Sequence, residues 1–149
     1  MVLVLVIAFG CVTQKKRGER SALGKLYENT TARYNGYYNA TVLLQESLLA
    51  LEQQHQDNYN ALLPLYPYMA VDNARSVSSQ LDEAIKKVST VVALHRSSRW
   101  TDDCYLLMGK AQFLKQDYES AEETLEYLVE EFPPDNPVQE VAPEKRKPS

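Results

Sequence analysis

The chain has 149 residues, 44% hydrophobic and 24% charged, which is the composition of an ordinary folded domain and not of a disordered segment. Its 16 Lys and Arg against 20 Asp and Glu leave a net charge of -4 and a pI near 5.2, which argues against nucleic acid, whose phosphates call for a basic stripe. With 5 Gly and 7 Pro there is little turn chemistry for a barrel, a sandwich or a phosphate loop, so the balance points to an all-α fold. Two cysteines and two histidines, spread as Cys11, Cys104, His55 and His95, are too few for a zinc framework or a disulfide scaffold.

Residues Met1 to Phe9, MVLVLVIAF, form an apolar run too short for the roughly 20 residues of a spanning helix. The run has the length of a signal-peptide core and ends Ala8-Phe9-Gly10-Cys11 before the basic Lys15-Lys16-Arg17. This resembles a bacterial lipobox, which implies cleavage before Cys11 and lipidation of its thiol. The match departs from the usual pattern at Ala8, where Leu or Val is commoner, and no Lys or Arg precedes the run. The competing reading is a buried strand or helix start with an incidental cysteine. On the lipoprotein reading residues 1–10 are a signal peptide and 11–20 a tether, whose acyl chains exceed the single chain that anchors only marginally. Lys15, Lys16 and Arg17 would then lie against headgroups, each adding about 1 kcal/mol on an anionic leaflet, or simply be solvated.

Residues 21–133 are expected to be a helical repeat region, tetratricopeptide-like hairpins stacked as a short α-solenoid. The clearest unit is 102–135, DDCYLLMGKAQFLKQDYESAEETLEYLVEEFPPD, whose 34 residues equal the tetratricopeptide period. Tyr118, Ala121, Leu125, Leu128, Val129 and Phe132 share one helical face, and Glu119, Glu122, Glu123, Glu126 and Glu130 occupy the other. The stretch resembles a tetratricopeptide hairpin: Gly109 and Ala121 fall at its two small-residue positions, Tyr118 at the turn aromatic and Pro133 at the terminal proline. Tyr105 stands where the repeat usually has Trp, and Trp100 lies out of register.

Shifted back by 81 residues, 21–54 aligns Tyr37 with Tyr118, Ala40 with Ala121 and Leu44 with Leu125, predicting a diverged first hairpin turning at Asn35-Gly36. Glu28 breaks the match by occupying the small position of Gly109. Between the two units, 55–101 reads as an atypical middle hairpin. Pro64 and Pro67 interrupt its start, and Val77, Leu81, Ala84, Ile85, Val88, Val91 and Val92 mark a long amphipathic outer helix. Residues 134–149 are rich in proline and charge and read as a linker or tail, and an uncovered last repeat implies that the natural chain continues.

Tyr supplies 10 of the aromatics against 3 Phe and 1 Trp. Seam packing accounts for a tyrosine in a helical repeat, but YNGYYN at 34–39 is denser than packing needs, which nominates Tyr34, Tyr37 and Tyr38 as a partner surface. His95, Asp102, Asp103 and Cys104 invite a metal or thiol reading, yet Cys104 lies in the apolar stretch CYLLM, the setting of a buried small hydrophobe. Gly18 to Lys25 fails as a phosphate loop through its five residues between glycines and through Leu26 in place of Ser or Thr. The sequons at Asn29 and Asn39 are inert in a bacterial lipoprotein.

Taken together, KLYENTTARYNGYYNATVLLQES (25–47), DNYNALLPLY (57–66) and LHRSSRWTDDCYLLMGKAQFLKQDYESA (94–121) resemble the N-terminal region of the SprE/PorW lipoproteins of Bacteroidota. These are tetratricopeptide proteins of gliding motility and type IX secretion. The resemblance covers most of 11–133. It implies a non-catalytic lipoprotein in the periplasmic leaflet of the outer membrane, without cofactor or metal, linking periplasmic ring or motor components to the outer-membrane translocon. Family members are longer, so an N-terminal fragment is expected. The basic residues after Cys11 favour the periplasmic face. No small-molecule substrate or nucleic acid is expected. Two competitors stand beside this reading: another outer-membrane tetratricopeptide lipoprotein, such as a β-barrel assembly factor, since AEETLEYLVEEFPP resembles those repeat endings too, and a hydrolase using Cys104 and His95.

Overall fold

The computed structural model describes residues 21–70 and 74–133, so the signal peptide, Cys11, the tether and the tail expected above lie outside the described residues. Within them all regular structure is helical. Helix α1 (Ala22–Thr31) begins where Ser21 Oγ accepts the amide of Gly24 at 3.2 Å, satisfying a first-turn donor. It runs without interruption through a π-helical segment (Ala32–Tyr38) into α2 (Asn39–Gln54).

The hairpin expected over 21–54 is therefore one composite helix, and Asn35-Gly36 is not a turn. The cause is spacing. Glu28, Ala32, Gly36, Ala40 and Leu44 are buried at intervals of four, whereas an α-helix repeats every 3.6 residues and drifts about 40° over four. The wider π turn removes that drift and keeps all five on the inner face. Gly36 is small for a different reason: a Cβ there would stand 1.9 Å from Val91 Cγ2.

His55 leaves the helix with extended backbone, and 55–66 forms turns and coil in which Leu62 is fully exposed. Short 3-10 turns at Pro67–Ala70 and Ala74–Val77 lead to α3 (Ser78–Leu94). The expected stripe is present, with Leu81, Ala84, Val88 and Val91 buried and Ile85 and Val92 partly so. The helix is central, not outer: it packs against α2, the π segment and α4. Burying each larger side chain of the stripe contributes about 1.5–3 kcal/mol relative to exposure.

Helices α4 (Thr101–Leu114) and α5 (Tyr118–Glu131) pack as an antiparallel pair. Tyr105 meets Tyr127 at 4.9 Å and Phe132 at 6.0 Å between ring centroids at one end, and Phe113 meets Tyr118 at 5.4 Å beside the turn. The turn is closed by the amide of Gln116 on Phe113 O (2.9 Å) and that of Asp117 on Gln112 O (3.0 Å), a Schellman pattern with Gln116 at φ 67°. Asp117 then caps α5 through Ser120 N, and Lys115 Nζ reaches Asp82 Oδ1 on α3 at 2.7 Å. Phe132, with non-helical backbone before Pro133, ends the helix.

Candidate functional site

The loop 95–100 between α3 and α4 is stabilised by its own hydroxyls. Ser98 Oγ accepts the Trp100 amide at 3.2 Å, and Thr101 Oγ1 donates to Ser98 O at 2.8 Å. Asp102 and Asp103 follow in the first turn of α4, where the helix dipole favours negative charge. Burial and the neighbouring Asp102 raise the Asp103 carboxyl above its ordinary value, while Arg99 pulls the other way.

The composite helix holds this loop from α1. Ser97 Oγ donates to Glu28 Oε2, His95 Nδ1 stands 4.0 Å from Glu28 Oε1, and Glu28 is 1% exposed. Asn29 Oδ1 accepts both Ser98 Oγ (3.1 Å) and the Arg99 amide (2.9 Å). These bonds fix Arg99 and Trp100 against the π segment. Arg33 and Tyr37, four residues apart, both meet Trp100. The Tyr37 ring lies 5.2 Å from it with 33° between planes, and the Arg33 guanidinium carbon is 5.1 Å from its centroid. Arg33 also covers Tyr34 at 5.3 Å, and Arg99 stands 5.3 Å from Trp100. Each such cation–π contact contributes about 0.5–1 kcal/mol at an exposed site. Arg33 and Arg99 are exposed, and among the described residues neither is in a salt bridge.

The three nominated tyrosines thus differ. Tyr34 and Tyr38 are 55% and 58% exposed, whereas Tyr37 is half-buried against Trp100. Gly109 is buried where a Cβ would come 2.7 Å from Leu125 Cδ2, and Ala121 is buried on the facing helix. Tyr118 is the first residue of α5, exposed and edge-on to Phe113, and Pro133 is exposed beyond that helix.

Cys104 lies fully inside the core, and burial together with Asp103 and Asp102 pushes its thiol up to about 12. It is protonated at neutral pH and not activated as a nucleophile. His95 sits beside Glu28, and among the described residues no three His, Cys, Asp or Glu side chains group as metal ligands. No helix of the described residues is long and apolar enough to cross a membrane.

Sequence reasoning missed Glu28, Asn29, Arg33, Arg99 and Trp100. Two signals were there to be used: Glu28 violated the repeat and Trp100 lay outside its register. Compared with protein-family models, curated proteins and solved structures, the chain matches none.

Proposed function

We propose that the chain is a non-catalytic scaffold lipoprotein of the type IX secretion and gliding machinery. On this reading Cys11 anchors it to the outer membrane, facing the periplasm, the α4–α5 pair is a hairpin of tetratricopeptide type, and the π segment with the loop before α4 presents a protein-binding surface. That surface comprises Arg33, Tyr34, Tyr38, Arg99 and Trp100. The observation that carries the reading is the meeting of two distant stretches quoted for the resemblance, 25–47 and 94–121, around Trp100. The exposed Tyr34 ring and the half-buried Trp100 indole beside guanidiniums have the composition of interface hot spots. The repeat type is supported by α4 and α5, an antiparallel pair with Gly109 seated against Leu125 and a tight turn between them.

The test uses the chain in Bacteroidota cells, with co-purified proteins identified by mass spectrometry. Wild type is expected to recover periplasmic ring, motor or translocon components, and Tyr34→Ala with Tyr38→Ala to lose them while helical content is unchanged. Recovery of β-barrel assembly proteins would favour the competing assembly-factor reading. Labelling with a lipid precursor tests the anchor separately, and incorporation should be absent in Cys11→Ser.

A further inference from the structure

We infer that the surface around Trp100 takes an acidic segment of a protein partner, its carboxylates gripped by Arg33 and Arg99. The inference rests on the partner surface proposed above and adds the chemistry of the occupant.

Three observations point to it. First, the two guanidiniums stand on one indole ring, 5.1 and 5.3 Å from its centroid, and neither has a salt-bridge partner among the described residues. Stacking directs a planar guanidinium but leaves its edge donors open, and that fork matches a carboxylate in bidentate geometry. Second, the pair is held in place. Asn29 Oδ1 binds the Arg99 backbone, Tyr37 backs the indole, and Arg33 lies over both Tyr34 and Trp100, so the Arg99 backbone and the indole are already placed and part of the ordering of Arg33 is met before binding. Third, this concentration of cationic groups belongs to a chain of net charge -4. Asp102 and Asp103 open α4 next to Arg99 and offset part of its charge, which leaves Arg33 as the stronger grip.

Trp100 is the one tryptophan of the chain, so its fluorescence reports this surface directly. The full chain is titrated with a capped Glu-Glu-Phe-Glu-Glu peptide, with its Gln-Gln-Phe-Gln-Gln counterpart, and with phosphatidylglycerol vesicles. A labelled peptide read by anisotropy gives affinity independently of the indole. The acidic peptide is expected to bind with a fluorescence change, to weaken as salt rises, and to lose at least fivefold in affinity in Arg99→Gln and more in Arg33→Gln, with circular dichroism unchanged. Arg33→Lys should fall between, keeping the charge but not the fork. Equal binding of the two peptides, affinity unaltered by both Arg→Gln variants, or an arginine-dependent response to vesicles without one to the peptide would each overturn the inference. If the acidic peptide fails while Tyr34→Ala with Tyr38→Ala still abolishes partner recovery in cells, the acidic occupant is wrong and the partner surface stands.

Discussion

Cys104 and Tyr105, adjacent on α4, both hold their protons more tightly in the fold than in the unfolded chain. Burial is the first cause for each, and it moves the thiol from 9.0 and the phenol from 10.0 to about 12; Tyr127 adds a hydrogen bond to the phenol. A raised acid pKa means that the stabilisation is complete below the unfolded value and is lost as pH climbs toward the folded one. Thermal unfolding followed from pH 8 to 12 should therefore show a falling Tm that begins near pH 9. In Cys104→Ala the decline should begin near pH 10, set first by Tyr105 and then by Lys115, whose pKa its hydrogen bond to Asp82 raises; an unchanged onset would remove the thiol from the account. Gln116 offers a second single-residue test. Its φ of 67° closes a Schellman turn that favours glycine, so Gln116→Gly should raise stability by up to about 1 kcal/mol in urea unfolding, despite the greater freedom of glycine in the unfolded chain.

The composite helix shows where the sequence was legible and where it was not. The apolar stripe of α3 follows a 3.6-residue period and could be read directly, whereas the face read for α5 holds only in part: Ala121 is buried and Leu125 and Leu128 partly so, but Tyr118 and Val129 are more than half exposed. Between Glu28 and Leu44 the buried positions step by four, a period of neither an α-helix nor a strand, and Asn-Gly in the middle carries the composition of a turn. Local chemistry and long-range packing disagree there, and packing decides because Gly36 is where the π segment meets Val91 of α3. The same conflict hid the site. Arg33 and Arg99 look like solvated charges until the fold places both on Trp100. Gly36→Ala should cost about 2 kcal/mol by overpacking. In a Val91→Ala background, which removes the methyl in the way, the same change should be nearly neutral, and a double-mutant cycle in urea reads the difference. Equal costs in both backgrounds would show that Gly36 serves the π backbone and not the close approach.

In the whole molecule each helix leans on its neighbour, α2 on α3, α3 on α4 and α4 on α5, while the π segment also reaches α3 and α4. Such an arrangement does not distribute stability evenly. Helix α3 is covered on both sides, α5 packs chiefly on α4, and α1 reaches the rest through Glu28 and Asn29 on the 95–99 loop. The tie at α1 therefore has two separable consequences: how firmly α1 is held, and how well Trp100 is positioned. Glu28→Ala removes the buried acceptor of Ser97, a loss of about 1 kcal/mol for the hydrogen bond. Native-state hydrogen exchange should show that loss concentrated in α1 and the 95–99 loop, with the slowest amides of α3 affected least, as expected where local opening precedes global unfolding. If protection falls by the same factor in every helix, α1 opens only with the whole fold, and Glu28 is a global core contact instead of a local tether. A local loss would also weaken the acidic peptide at the surface around Trp100 without touching either arginine. That result would trace the surface to the tie between α1 and the loop, two segments separated by some seventy positions of chain.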